Sequence, residues 1–172
     1  EVREENDEYH DFHLVRGGQR YGFIVDPGAA SGLVGTDTAL EYAQHMVPLA
    51  SQRELGPSNA QFSGISGNSV PGLSSLTQTA QVARLKVNWH GDMIGGQGSR
   101  CPFLLPLGPM IQHKAVLLTG VFDSGDGVLI MTSSDVNVPN SPQSVYCARC
   151  LYTDSGHYLL PTDRPQEAAD EE

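Results

Sequence analysis

Phe23-Ile24-Val25-Asp26-Pro27-Gly28-Ala29-Ala30-Ser31-Gly32-Leu33-Val34 is the stretch that decides how this chain is read. Three apolar residues in succession, two of them β-branched, predict a short strand buried on both faces. The strand delivers an acid, Asp26, into a run of small residues whose backbone can turn sharply and approach another group closely. Leu33 and Val34 then resume a short apolar piece.

Working outward, His13 to Arg16 and Gln19 to Val25 flank Gly17-Gly18 and predict a hairpin about a two-glycine turn. Downstream, Thr36 or Thr38 predicts the cap of a helix running to about Met46, with Pro48 just beyond it. Thr38 and Glu41 fit a capping box, and Leu40, Ala43 and Met46 share a face. Residues 56–76 are rich in Gly, Ser, Pro and Asn, and the segment Phe62 to Asn68 at their centre reads as a mobile hairpin tip. Ala83, Leu85, Val87 and Trp89 alternate with polar residues, the period of a half-buried strand. His90-Gly91-Asp92 reads as a turn, with Met93-Ile94 opening the return strand. A short apolar run, Phe103-Leu104-Leu105, precedes a helical turn near Pro109 to His113. Ala115–Leu118 and Val128–Met131 pair around Asp123–Gly127, and Ser144–Tyr152 with Gly156–Leu160 forms a last hairpin. The fold class is mainly β, with one main helix.

The 172 residues suit one domain. The net charge of −10 is concentrated at the ends: residues 1–11 hold six acids and residues 163–172 hold five. The span 12–162 is left with nine acids against eight bases, a near-neutral domain between two acidic tails. Without a basic patch the chain is a poor partner for nucleic acid. No apolar run approaches the roughly 20 residues of a membrane-spanning helix. Three cysteines, an odd number, favour a reducing, intracellular compartment over a disulfide framework. Cys147 and Cys150 lack the second ligand pair that a structural zinc needs, and on a strand they point to opposite faces. Neither a metal nor a cofactor is expected.

The chemistry available to Asp26 is that of paired carboxylates. Two acids sharing one proton can hydrolyse a peptide bond, one activating a water and the other protonating the carbonyl oxygen. A second Asp-Ser-Gly occurs at Asp123-Ser124-Gly125, but Asp126-Gly127 follows it where an apolar segment should, so it reads as a hairpin turn. The second carboxylate is then expected from a second copy of the chain across a two-fold axis.

In letters and order the segment from Phe23 to Val34 resembles the active-site segment of retropepsin-like aspartic proteases. It is particularly similar to the protease-like domains of protist retroelement (retrotransposon) polyproteins. Those share the Asp-Pro-Gly-Ala-Ala variant, a Gly-Gly-x-Gly segment (here Gly95 to Gly98), a following Leu-Leu (Leu104-Leu105) and a late Ser-Gly-His run ending in Pro (Ser155 to Pro161). The likeness spans roughly residues 10 to 163. It implies a closed retropepsin-like β-barrel with an extra C-terminal hairpin. Asp26 would be the catalytic carboxylate in an active-site loop of Pro27, Gly28, Ala29, Ala30 and Ser31. Gly64-Ile65-Ser66-Gly67 would be the flap over the substrate, with Met93 to Gly96 as its rival. Leu104 and Leu105 would pack beneath the loop, with Pro106 where the family has Gly. The implied activity is that of a homodimeric endopeptidase processing a peptide or polyprotein. Pro27 departs from the family's Thr or Ser, removing the hydroxyl and N–H that interlock the two loops. The alternative is therefore a catalytically inactive module of the same fold, kept for dimerisation or peptide binding.

Overall fold

A computed structural model describes residues 9–45, 53–63, 69–83, 85–133 and 144–164. A 3-10 turn, His10–His13, leads into a hairpin of β1 (Leu14–Val15) and β2 (Gly18–Gln19). Val15 pairs with Gly18, so the turn is Arg16-Gly17 and not the glycine pair. Both residues have positive φ, 51° and 79°, the twist a two-residue hairpin turn demands. Arg16 is held there by its partners: its backbone N–H donates to Asp154 Oδ1 at 3.0 Å and its guanidinium to Asp126 at 3.0 and 3.2 Å.

The apolar run forms β3 (Gly22–Val25), buried at all four positions, and β4 (Leu33–Gly35) is buried at all three. The helix α1 (Thr36–His45) follows at once. Its buried residues are Thr38, Ala39 and Tyr42, whereas Leu40 is exposed. The inward face is thus rotated from the expected one. Tyr42 sets it, because its ring lies 4.9 Å from that of Phe103 and its hydroxyl meets Thr162 Oγ1 at 2.7 Å.

Next come β5 (Arg53–Gly56), β6 (Gln61–Phe62), β7 (Val70–Pro71), β8 (Ser74–Val82) and β9 (Leu85–Ile94). Periodicity gives no warning of β8, since Ser, Thr and Gln fill most of it. Its Gln78 is fully buried because Oε1 accepts from Arg53 Nε and Nη2 at 3.2 and 2.9 Å, and Nε2 donates to the Thr79 carbonyl at 3.0 Å. Satisfied in this way, a polar side chain can occupy a core position. Ala83, expected in a strand, occupies the β8–β9 turn with φ of 50°.

The expected turn at His90-Gly91-Asp92 does not occur, and β9 runs straight through it. Gly91 is there for close approach: a Cβ on it would lie 2.5 Å from the carbonyl carbon and oxygen of Gly32. Gly91→Ala should therefore destabilise the fold by about 1–3 kcal/mol through overpacking. Urea unfolding measures it, and a change below about 0.5 kcal/mol would be that of an ordinary surface site.

The chain ends with β10 (Phe103–Leu105), α2 (Leu107–Gln112), β11 (Val116–Leu118), β12 (Gly127–Ser133), β13 (Ser144–Tyr152) and β14 (Tyr158–Pro161). Both expected hairpins form, with Val116 opposite Ile130 and Leu151 opposite Leu159. Ten strands make one sheet in the order β11-β12-β13-β14-β3-β10-β4-β9-β8-β5. β10 enters between β3 and β4, parallel to the first and antiparallel to the second.

This order corrects the expectation of a closed barrel, because β11 and β5 are separate edges. β14 occupies the free side of β3, and β13, β12 and β11 extend outward from it instead of returning to β5. The sheet nevertheless curls about one core, in which Ala80 and Val82 of β8 join Leu129 and Met131 of β12 and Cys150 of β13. At its centre the Trp89 and Phe103 rings meet edge-on, with centroids 4.8 Å apart. The folded chain reaches into both acidic ends. Phe12 stacks on His157 at 4.5 Å, Tyr9 packs on a core cluster, and Asp163 pairs with Arg20 at 2.9 Å.

Candidate functional site

Asp26 leaves the buried end of β3 and is held by its backbone. Its N–H donates to the Leu105 carbonyl at 3.0 Å, and its own carbonyl accepts from Ala29 N–H at 3.1 Å. The second bond closes a four-residue turn, Asp26 to Ala29, with Pro27 second and Gly28 third. A proline suits the second position, where φ is near −60°. The side chain completes the turn, Oδ1 accepting from Gly28 N–H at 3.1 Å. Asp26 Oδ2 makes no hydrogen bond to any described residue. Asp26 is half-buried, while Pro27, Gly28, Ala30 and Ser31 are exposed. The local order is thus a fixed carboxyl with one oxygen open to a water or to another acid.

Leu104 and Leu105, expected beneath this loop, lie on β10 between β3 and β4. Leu104 pairs with Ile24 and Leu33, and Leu105 pairs with Val25. Pro106, extended at φ −80° and ψ 174°, leads into α2, whose Leu107 N–H donates to the Ala29 carbonyl at 3.4 Å. Cys101 is buried in the same region. Desolvation, helped by the charge of Asp26, pushes its thiol up to about 12, which leaves it a poor nucleophile.

Gly64, Ile65, Ser66 and Gly67 lie outside the described residues. The strands flanking them, β6 and β7, pair antiparallel, and Phe62 and Val70 pack against Leu33, Ile94 and Cys101. The rival placement does not form a hairpin tip. Ile94 is fully buried in β9 opposite Gly35, and Gly96–Gly98 is a 3-10 turn.

Asp123-Ser124-Gly125 forms the expected turn, with Gly125 N–H donating to the Phe122 carbonyl at 2.9 Å. It precedes β12, which β13 and β14 separate from β3. What the sequence conceals is Asp126, fully buried and accepting from Arg16, from Arg149 Nε at 3.0 Å and from Tyr152 N–H at 2.8 Å. Burial alone would raise its pKa, but the bonds from Arg16, the Tyr152 backbone and Arg149 outweigh that and hold it below the ordinary carboxylate value. Cys147 is exposed and Cys150 buried, on opposite faces of β13. Among the described residues no cluster of His, Cys, Asp or Glu could hold a metal ion, and no helix is long and apolar enough to cross a membrane.

A cavity of about 420 Å³ lies between α2, β9 and the continuation of the Asp26 loop at Ala30 to Gly32. Phe23, Trp89, Leu105, Pro109, Met131 and Leu160 form much of its wall, and Asp26 is not part of it. The wall is assembled from segments far apart in the chain, so no local pattern announces it. Compared with protein families, with curated proteins and with solved structures, the chain matches none.

Proposed function

We propose that this chain is a retropepsin-like aspartic endopeptidase acting on a peptide or polyprotein, and that two copies supply one Asp26 each. The observation carrying this reading is the setting of Asp26. β10 inserts between β3 and β4, so Leu105 and, through α2, Leu107 clamp the loop that presents the acid. A Leu-Leu pair beside the loop that carries the acid is what the sequence resemblance implies, and it supports this reading. A second support is apolar. Leu107 and Ile111 lie one helical turn apart and are 44% and 65% exposed. With exposed Pro27 and Ala30 of the loop, to which the Leu107 N–H is tied through the Ala29 carbonyl, they offer apolar surface suited to a second copy.

In the dimer the two Asp26 carboxyls hold one proton between them. The ionised member takes a proton from a water as its oxygen attacks the scissile carbonyl carbon, and the protonated member gives its proton to the carbonyl oxygen. As the diol collapses and the C–N bond breaks, the carboxyl that took the water's proton gives it to the leaving nitrogen, and the other carboxylate takes a proton from a diol hydroxyl, which restores the shared proton. The hairpin of β6 and β7 is the flap of this reading, excluding bulk water from the cleft. Pro27 favours the competing reading, a non-catalytic dimerisation or peptide-binding module, because it has no N–H with which to lock the two loops.

Dilution tests the shared site. Cleavage of a peptide library should fall with the square of chain concentration below the dimer dissociation constant, in step with sedimentation. Cleavage strictly proportional to concentration in a sedimenting monomer would overturn the shared-carboxylate reading.

A further inference from the structure

We infer that the cavity between α2 and β9 is a binding site for a small, uncharged, apolar molecule bearing one hydrogen-bond donor, distinct from the outer face of the Asp26 loop. Its volume of about 420 Å³ falls within the range of small-molecule clefts. An α-helix, 10–12 Å across with its side chains, is too large for it. The wall presents two aromatic faces, Phe23 and Trp89, with Val82, Val87 and Met131. The indole N–H of Trp89 donates to the Leu104 carbonyl at 2.9 Å, so its ring offers the cavity only apolar surface.

Among the described residues no Asp, Glu, Lys or Arg lines the cavity, and a charged ligand would lose its hydration without a counter-charge from them. Polar groups are few. They are Ser31, Asn88, His90, Gln112 and His113, the last held by a hydrogen bond from Nδ1 to the Thr132 carbonyl at 3.1 Å. Ser31 and Gln112 each carry an oxygen able to accept a hydrogen bond, which suits a ligand with a hydroxyl or an N–H. The site also shares structure with the acid: Leu105 lines the cavity and its carbonyl receives the Asp26 N–H at 3.0 Å. An effect of the occupant on cleavage rests on the proposed hydrolase reading, whereas binding does not.

N-Phenyl-1-naphthylamine, neutral and aromatic with one N–H, is a suitable probe. Trp89, the one tryptophan of the chain, lines the cavity and reports binding by energy transfer. Titration of the wild type and of Asp26→Asn should give the same saturable signal at one probe per chain. Filling the cavity by Val87→Phe, or from the opposite wall by Met131→Phe, should weaken binding by about tenfold or more. Val145→Ser, on an exposed position of β13, should leave it unchanged. Absence of saturable transfer in the wild type overturns the assignment whatever the variants do. So does equal affinity in a folded, cavity-filled variant, or an equal loss in Val145→Ser. Loss of cleavage by Asp26→Asn with binding intact keeps the two readings separate.

Discussion

Asp26→Asn should abolish peptide cleavage, with a loss on the order of 10²–10⁴-fold, the usual contribution of a general acid or base. The substitution removes the ionisable group while leaving the turn intact, because an amide oxygen can still accept the Gly28 N–H that Oδ1 accepts at 3.1 Å. Unfolding curves of the two proteins should therefore coincide within about 0.5 kcal/mol, as for a partly exposed site without a buried partner. Equal cleavage by both proteins, or none by the wild type as a dimer, leaves the non-catalytic reading.

Asp126→Ala should be the most damaging single change to stability outside the apolar core. It strands the guanidinium groups of Arg16 and Arg149 and the Tyr152 N–H, all within 3.2 Å of the carboxylate. Removing one partner of a buried ion pair costs about 3–5 kcal/mol. The low end, about 3 kcal/mol, applies here because the Arg16 and Arg149 side chains are 52% and 28% exposed and can recover water. The melting temperature should fall by about 6–12 °C, taking 2–4 °C per kcal/mol for a chain of this size. The folded state holds the Asp126 pKa below its ordinary value of 3.8. Its ionic contribution is complete above that value and is lost as pH falls through the folded one. The gap between wild type and variant should thus narrow in acid, and denaturant titrations at several pH values would show it. A gap that stays constant with pH would mean that the variant acts through packing alone.

Local chemistry was readable where one stretch carried the whole instruction. The apolar run into Asp26-Pro27-Gly28 gives both a buried strand and its turn, and the paired runs of β11 with β12 and β13 with β14 show their hairpins. Reading failed where a residue answers to a distant neighbour. Gln78 looks like surface until Arg53 is placed beside it. Gly91 looks like a turn until Gly32 is seen against it. Asp126 looks like hairpin punctuation until arginines from positions 16 and 149 converge on it. Barrel closure failed for the same reason, since which strand takes the free side of β3 is settled by partners and not by β3 itself. The turn at Asp26 and the short strand at Leu104-Leu105 were legible, but the cavity beside them was not.

The neighbours of β3 also set a timetable for synthesis. One flank belongs to β10 and the other to β14, whose Leu159 lies opposite Ile24. The strand bearing Asp26 leaves the ribosome well before β14, so its second flank exists only after residue 161 has been translated. Such distant pairing makes for slow assembly. A nascent chain is thus unable to build the acid's full scaffold while it is still being elongated through this region.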